Sequence, residues 1–222
     1  MTRLSLIGLA LLLTPLLVRA QDGEPSAAPP EEARQIVWTF GLPYVNSFLF
    51  RPAGQPTKVN TGFWGASVGL ERRYRSGRYL SFEAAGAVDL FTPVPASPGI
   101  DGIHESMASA YVTATDNVSL GPRTAFGYGV HYAFNSWQRR DYNTSPTELL
   151  DRSRWHAVGF VGTVNRALFW KVHGGLSYRP SFIRLGPTPR LLYEHVLSVD
   201  FTAKFEKGGG PLSSRPQRYL TK

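Results

Sequence analysis

From residue 33 to residue 206, large apolar side chains alternate with small or polar ones at a period of two, and helical periodicity is almost absent. The alternation predicts eight strands, near 33–45, 61–74, 79–91, 104–117, 124–137, 154–165, 169–180 and 192–206. Their connections alternate in length: 46–60, 92–103, 138–153 and 181–191 are long, while 75–78, 118–123 and 166–168 are short. The fold expected is all-β, an eight-stranded antiparallel up-and-down barrel. Tight turns at one end and longer loops at the other are the asymmetry of a transmembrane barrel, and an even strand number returns both ends of the chain to the short-turn side.

The two faces separate cleanly on most strands. Trp64, Ala66, Val68, Leu70 and Tyr74 oppose Gly65, Ser67, Gly69, Glu71 and Arg73. Phe126, Tyr128, Val130, Tyr132 and Phe134 oppose Gly127, Gly129, His131, Ala133 and Asn135. Leu197, Val199, Phe201 and Phe205 oppose Ser198, Asp200 and Lys204. The strands at 104–117 and 154–165 assign neither face clearly. Glycine and alanine suit the inside of a narrow eight-stranded barrel, which side chains fill, better than a solvated strand surface. The bulky face is therefore expected to meet lipid and the small, charged face to line a filled polar lumen. Trp38, Tyr44, Trp64, Tyr74, Trp137, Trp155, Trp170 and Tyr178, near strand ends, are expected as interfacial aromatic girdles. Arg72 breaks the pattern beside Tyr74, where its long side chain would snorkel to headgroups.

The ends of the chain differ from this middle. Arg3, the apolar Leu4–Leu17 and Val18-Arg19-Ala20 have the layout of a cleaved secretory signal. The apolar stretch is shorter than the ~20 residues of a membrane-spanning helix. Residues 21–33 are rich in proline, alanine and acids and are expected as a flexible leader. Residues 207–222 are punctuated by glycine, proline and serine and are expected as a flexible basic tail. Cysteine is absent from the sequence, which removes disulfides and a lipoprotein anchor. The net charge of +8 falls to +6 once Arg3 and Arg19 leave with the signal, and the cations are scattered instead of forming a nucleic-acid stripe. Phosphorylated lipid suits them as partner.

Over residues 33–206 this pattern resembles the small outer-membrane barrels of the OmpA/OmpX type, a likeness of architecture without a diagnostic motif. It implies outer-membrane localisation, contact with membrane lipid and lipopolysaccharide, and dependence on the outer-membrane assembly machinery. In that superfamily the last strand usually ends on an aromatic residue at the C-terminus. Here the candidate is Phe205, and the chain continues to Lys222.

The inner face offers a lumen network of Glu71, Arg73, Glu83, Asp89, Glu105, His131, Lys171, His173, Arg179, Asp200 and Lys204, whose mixed signs favour ion pairing over an ion path. Gly65-Ala66-Ser67-Val68-Gly69 matches a hydrolase nucleophile pattern, but that motif requires a strand-to-helix turn and here lies within a strand. The five histidines have no local metal-ligand spacing, so no metal or cofactor is expected. His131-Tyr132-Ala133-Phe134-Asn135 loosely resembles the His-x-Ser-Asn strand of outer-membrane lipid A deacylases, with Ala133 where the nucleophilic serine would stand. Arg139, Arg140 and Tyr142 are candidate contact residues in the third long loop for an unidentified surface ligand. The function expected is non-enzymatic: envelope integrity or surface binding through the loops. A lipid A deacylase-like enzyme and a soluble lipocalin-like ligand carrier are the alternatives.

Overall fold

The structure, a computed structural model, describes residues 36–74, 78–90, 102–143 and 146–206. The signal, leader and tail assigned from sequence lie outside the described residues. Eight strands follow one another: β1 (Ile36–Phe50), β2 (Lys58–Arg73), β3 (Arg78–Leu90), β4 (Ile103–Ser119), β5 (Thr124–Asp141), β6 (Glu148–Phe169), β7 (Val172–Leu185) and β8 (Arg190–Glu206). Each pairs antiparallel with the next, and β8 pairs with β1, closing the barrel. Closure leaves no unpaired sheet edge, which is what a strand protein needs where water cannot satisfy the backbone.

The facing follows the alternation. Phe126, Tyr128, Val130, Tyr132, Val199 and Phe201 are exposed on the outside, while Gly127, His131, Ala133, Asn135 and Ser198 are buried within. The reverse facing that a soluble lipocalin-like carrier requires is not observed. β4 and β6, ambiguous in sequence, turn Met107, Ser109, Tyr111, Thr115 and Asn117, and Trp155, Ala157 and Val161, to the inside. Arg72 is exposed with its guanidinium 5.9 Å from the Tyr74 ring.

Two girdle assignments are corrected. Trp137 and Trp155 lie inside the barrel, 1% and 5% exposed. Period-two counting from Phe134 already puts position 137 on the inner side, so strand parity overrides the usual preference of tryptophan for the interface. Strand ends also differ at the long-loop end, where β1, β5 and β7 run on to Phe50, Asp141 and Leu185 and β6 starts at Glu148. Above the apolar outer belt the outward positions turn polar, so the alternation fades although backbone pairing continues. Arg139 and Arg140 therefore belong to β5, paired with Glu105 and His104 of β4, and not to a loop. At the other end β6 continues to Phe169, and Trp170 (φ 45°) and Lys171 form the tight turn that sequence placed at 166–168.

The wall is irregular at several places, and one of them is braced by a buried side chain. Register shifts between Pro43 and Val45 and between Phe63 and Gly65, where Trp64 adopts φ 82°. A Cβ on Gly65 would lie 2.5 Å from the Gly86 carbonyl oxygen, so this bulge needs glycine. Asn46 satisfies the freed backbone, its amide donating to the Pro43 and Trp64 carbonyls at 3.0 and 3.1 Å.

Candidate functional site

The lumen is filled in two different ways. At the long-loop end Phe48, Phe50, Met107, Trp137 and Trp155 close the axis, with Phe50 edge-on to Phe48 and Trp155 at 5.5 and 5.4 Å. Each tryptophan sits in a closed triad. Trp155 Nε1 donates to Glu194 Oε2 at 2.7 Å, Arg184 pairs with Glu194, and the Arg184 guanidinium lies 4.3 Å from the Trp155 ring centroid. Trp137 Nε1 donates to Glu105 Oε2 at 3.1 Å, Lys58 pairs with Glu105 Oε1 at 2.6 Å, and Lys58 Nζ lies 5.3 Å from the Trp137 ring. Every member serves two others, so a charge that would be costly alone beside the aromatic plug is neutralised and hydrogen-bonded. Burial pushes the Glu105 carboxyl up, but hydrogen bonds from Lys58 and Trp137 outweigh it and hold the group below its ordinary 4.5.

Towards the short turns the filling becomes polar. The Arg179 guanidinium lies 4.1 Å from the Tyr111 ring centroid and donates to Ser198, which donates to Asn46 Oδ1 at 2.7 Å. Its charge acts on Glu83 and Asp200, and Asp200 also accepts from Ser177. Lower still, Lys204 pairs with Glu71, with Arg73 3.7 Å from the same carboxylate. Asn117 donates to Ser81, Thr115 and the Tyr79 carbonyl at 3.0–3.2 Å. Glu71, Arg179 and Asp200 line a cavity of about 60 Å³, large enough to hold water. A second cavity, beside His131 and Glu194, holds only about 10 Å³.

The expected lumen residues thus divide. Glu71, Arg73, Glu83, Arg179, Asp200 and Lys204 form one network, with His173 at its lower mouth. Asp89 stands apart, bonded to Asn60. Glu105 belongs to the upper triad. Lys171 is corrected: it lies in the tight turn, its ammonium 5.2 and 5.4 Å from the Trp170 and Phe205 rings and outside the lumen network. Tyr142 packs edge-on against His104 at 5.8 Å. Sequence reasoning missed Lys58, Arg184 and Glu194. Glu194 shares parity with Ser198 and Asp200 and was readable, whereas the β7 bulge between Ser181 and Ile183 resets the count that would have placed Arg184 inside.

In the deacylase-like pentad Ala133, at the serine position, is buried on the inner face. His131 is buried, its Nδ1 2.8 Å from the Phe160 carbonyl and its Nε2 3.0 Å from Ser181 Oγ, beside the cavity of about 10 Å³. Ser67 of the nucleophile-like pattern lies in mid-strand against Gly41. Among the described residues no group of three or more His, Asp and Glu is arranged to hold a metal ion.

A closed eight-stranded antiparallel barrel with a bulky apolar exterior and a filled lumen defines a small barrel of the outer-membrane type. Solved structures share this fold. Ail, the attachment invasion locus protein of Yersinia pestis, is 10% identical, with a TM-score of 0.50, covering 78% of this chain and 98% of that one. Neisserial surface protein A is 12% identical, with a TM-score of 0.45 over 78% and 98% of the two chains. No protein-family profile matches the chain, and no curated protein matches it.

Proposed function

We propose that this protein resides in the outer membrane, long-loop end outward, and acts as a surface-contact or envelope-stabilising barrel, neither conducting solutes nor catalysing a reaction. The observation that supports this is the closed axis. Two Trp–Glu–cation triads and the phenylalanines between them block the outer half; below them the polar network encloses a cavity of about 60 Å³, and a pocket of about 490 Å³ lies at the short-turn mouth beside Arg73, Tyr79 and Lys204. A barrel whose described residues fill the axis in this way is suited to work through its surfaces. The strands that rise highest at the outer end, β5 and β6, carry Arg139, Arg140, Arg152 and Arg154 beside Asp141, Glu148 and Asp151, with Arg152 and Arg154 exposed on the outer face.

Envelope fractionation followed by planar-bilayer recording tests this. The full chain should appear as a heat-modifiable outer-membrane band and produce no discrete conductance steps. The Trp137→Gly/Trp155→Gly variant should produce small ones. Steady ion conduction by the wild-type barrel, or recovery in a soluble fraction, would overturn the proposal.

A further inference from the structure

The outer wall over β2–β5 differs from that over β6–β8. Small side chains at Ala84 and Ala114 floor an apolar groove of about 590 Å³, walled by Leu70, Phe82, Val112 and Tyr132. Elsewhere the belt is crowded by aromatic contacts, such as Phe160 with Phe182 at 6.0 Å and Phe182 with Tyr193 at 5.8 Å. Above the groove, on β5 and β6 and at the same outward parity, chemistry changes within a few residues. Tyr132 Oη lies 2.6 Å from His156 Nδ1, and beyond that pair Arg154 and Arg152 stand exposed beside Ser136 and Gln138, their partners on β5.

Strand geometry sets the scale. Arg154 is four residues past Val158 at the groove edge, about 13 Å along the strand, and Arg152 lies about 7 Å further. Among the described residues no carboxylate occupies the outward positions of β5 and β6 between this edge and Arg152. An apolar slot open to acyl chains thus ends in two exposed guanidiniums and neutral hydrogen-bonding groups at headgroup height.

We infer that this wall is a specific seat for a phosphorylated, multiply acylated glycolipid of the outer leaflet, one acyl chain filling the groove over Ala84 while Arg154 and Arg152 hold phosphate oxygens. The inference rests on the outer-membrane placement proposed above. Guanidinium matches phosphate in charge and in its fork of donors. The arginines face outward, above lipid-facing Tyr132, and not into the barrel mouth, which favours a membrane lipid over a soluble polyanion.

The test uses the full chain purified in detergent and mixed with micelles doped with bisphosphorylated lipid A, its dephosphorylated form, or phosphatidylglycerol, with retained lipid read by native mass spectrometry. Wild type should retain bisphosphorylated lipid A in preference to both others. Arg152→Gln/Arg154→Gln should lower retention about tenfold or more, and Ala84→Phe, which fills the groove, should lower it as well. Arg190→Gln, at the start of β8, should leave retention unchanged. The heat-modifiable gel shift reports folding of each variant, so if Ala84→Phe does not fold the charge variant decides. Equal retention by the arginine variant, equal retention of dephosphorylated lipid or of phosphatidylglycerol, or no retention at all overturns the inference. Absence from the outer-membrane fraction would instead overturn the placement on which it rests.

Discussion

The two halves of the lumen solve the same packing problem with opposite chemistry. In the outer half both oxygens of each carboxylate are engaged, Glu194 by Arg51, Arg184 and Trp155 and Glu105 by Lys58 and Trp137. In the inner half one oxygen of Glu71 and one of Asp200 have no hydrogen-bond partner, as does Nε of Arg179. Fully engaged carboxylates around an aromatic plug, with Nε of Arg184 left over, make a rigid stopper. Partial satisfaction around a cavity with room for water makes a filling that leans on Arg179 above and Lys204 below, and removing the upper cation exposes the difference.

The largest effect should come from Arg179→Met. It deletes the donor to Ser198 and the cation over the Tyr111 ring and takes the nearby positive charge from Glu83 and Asp200, and unfolding in urea from lipid vesicles should show a loss of about 3 kcal/mol. Adding Glu83→Gln to that variant should restore part of it, and a double-mutant cycle showing no coupling would mean that the inner half is not built around Arg179. Next in size is Trp155→Phe, which keeps an aromatic ring but deletes the donor to Glu194, a carboxylate 2% exposed, and should cost about 1–3 kcal/mol. The matching Trp137→Phe should cost less, because Glu105 is 32% exposed and water replaces the lost donor. Equal losses in the pair would erase the distinction between a sealed and a wetted triad.

The smallest effect is a pH dependence. Glu105 is held below its ordinary value in the folded barrel, so its contribution is present above 4.5 and fades as pH falls through the lower folded value. Acid should therefore weaken wild type more than Glu105→Gln in this range. Parallel pH profiles for the two proteins would show that the outer triad does not use the charge of Glu105.

Much of this architecture was readable from alternation, because a period-two pattern fixes both the strand and its face. The eight strands, the outward Phe126, Tyr128 and Phe201 and the inward His131 and Arg179 all follow from it. What escaped lies where alternation stops carrying information. Above the belt both faces are polar, so Arg139 and Arg140 read as loop although their backbones pair with β4. Bulges shift parity without marking themselves, which hid Arg184. Trp137 was misplaced for another reason: a residue-type preference was set above the strand count. The triads need partners from different strands, as with Trp155 on β6 and Glu194 on β8, and no single strand reveals that pairing.

The Ser198–Asn46 hydrogen bond joins the last strand to the first across 152 residues, with both side chains fully buried beneath the bulge that Asn46 supports. Contacts so distant in the chain carry the greatest loop-closure entropy, so this seam forms only after the intervening strands have shortened the path between its sides. The pair thereby acts as a latch on cylinder closure. Until β8 is in place, the amide that braces the first strand's kink lacks the hydroxyl that orients it, and an incomplete sheet stays distinguishable from a finished one.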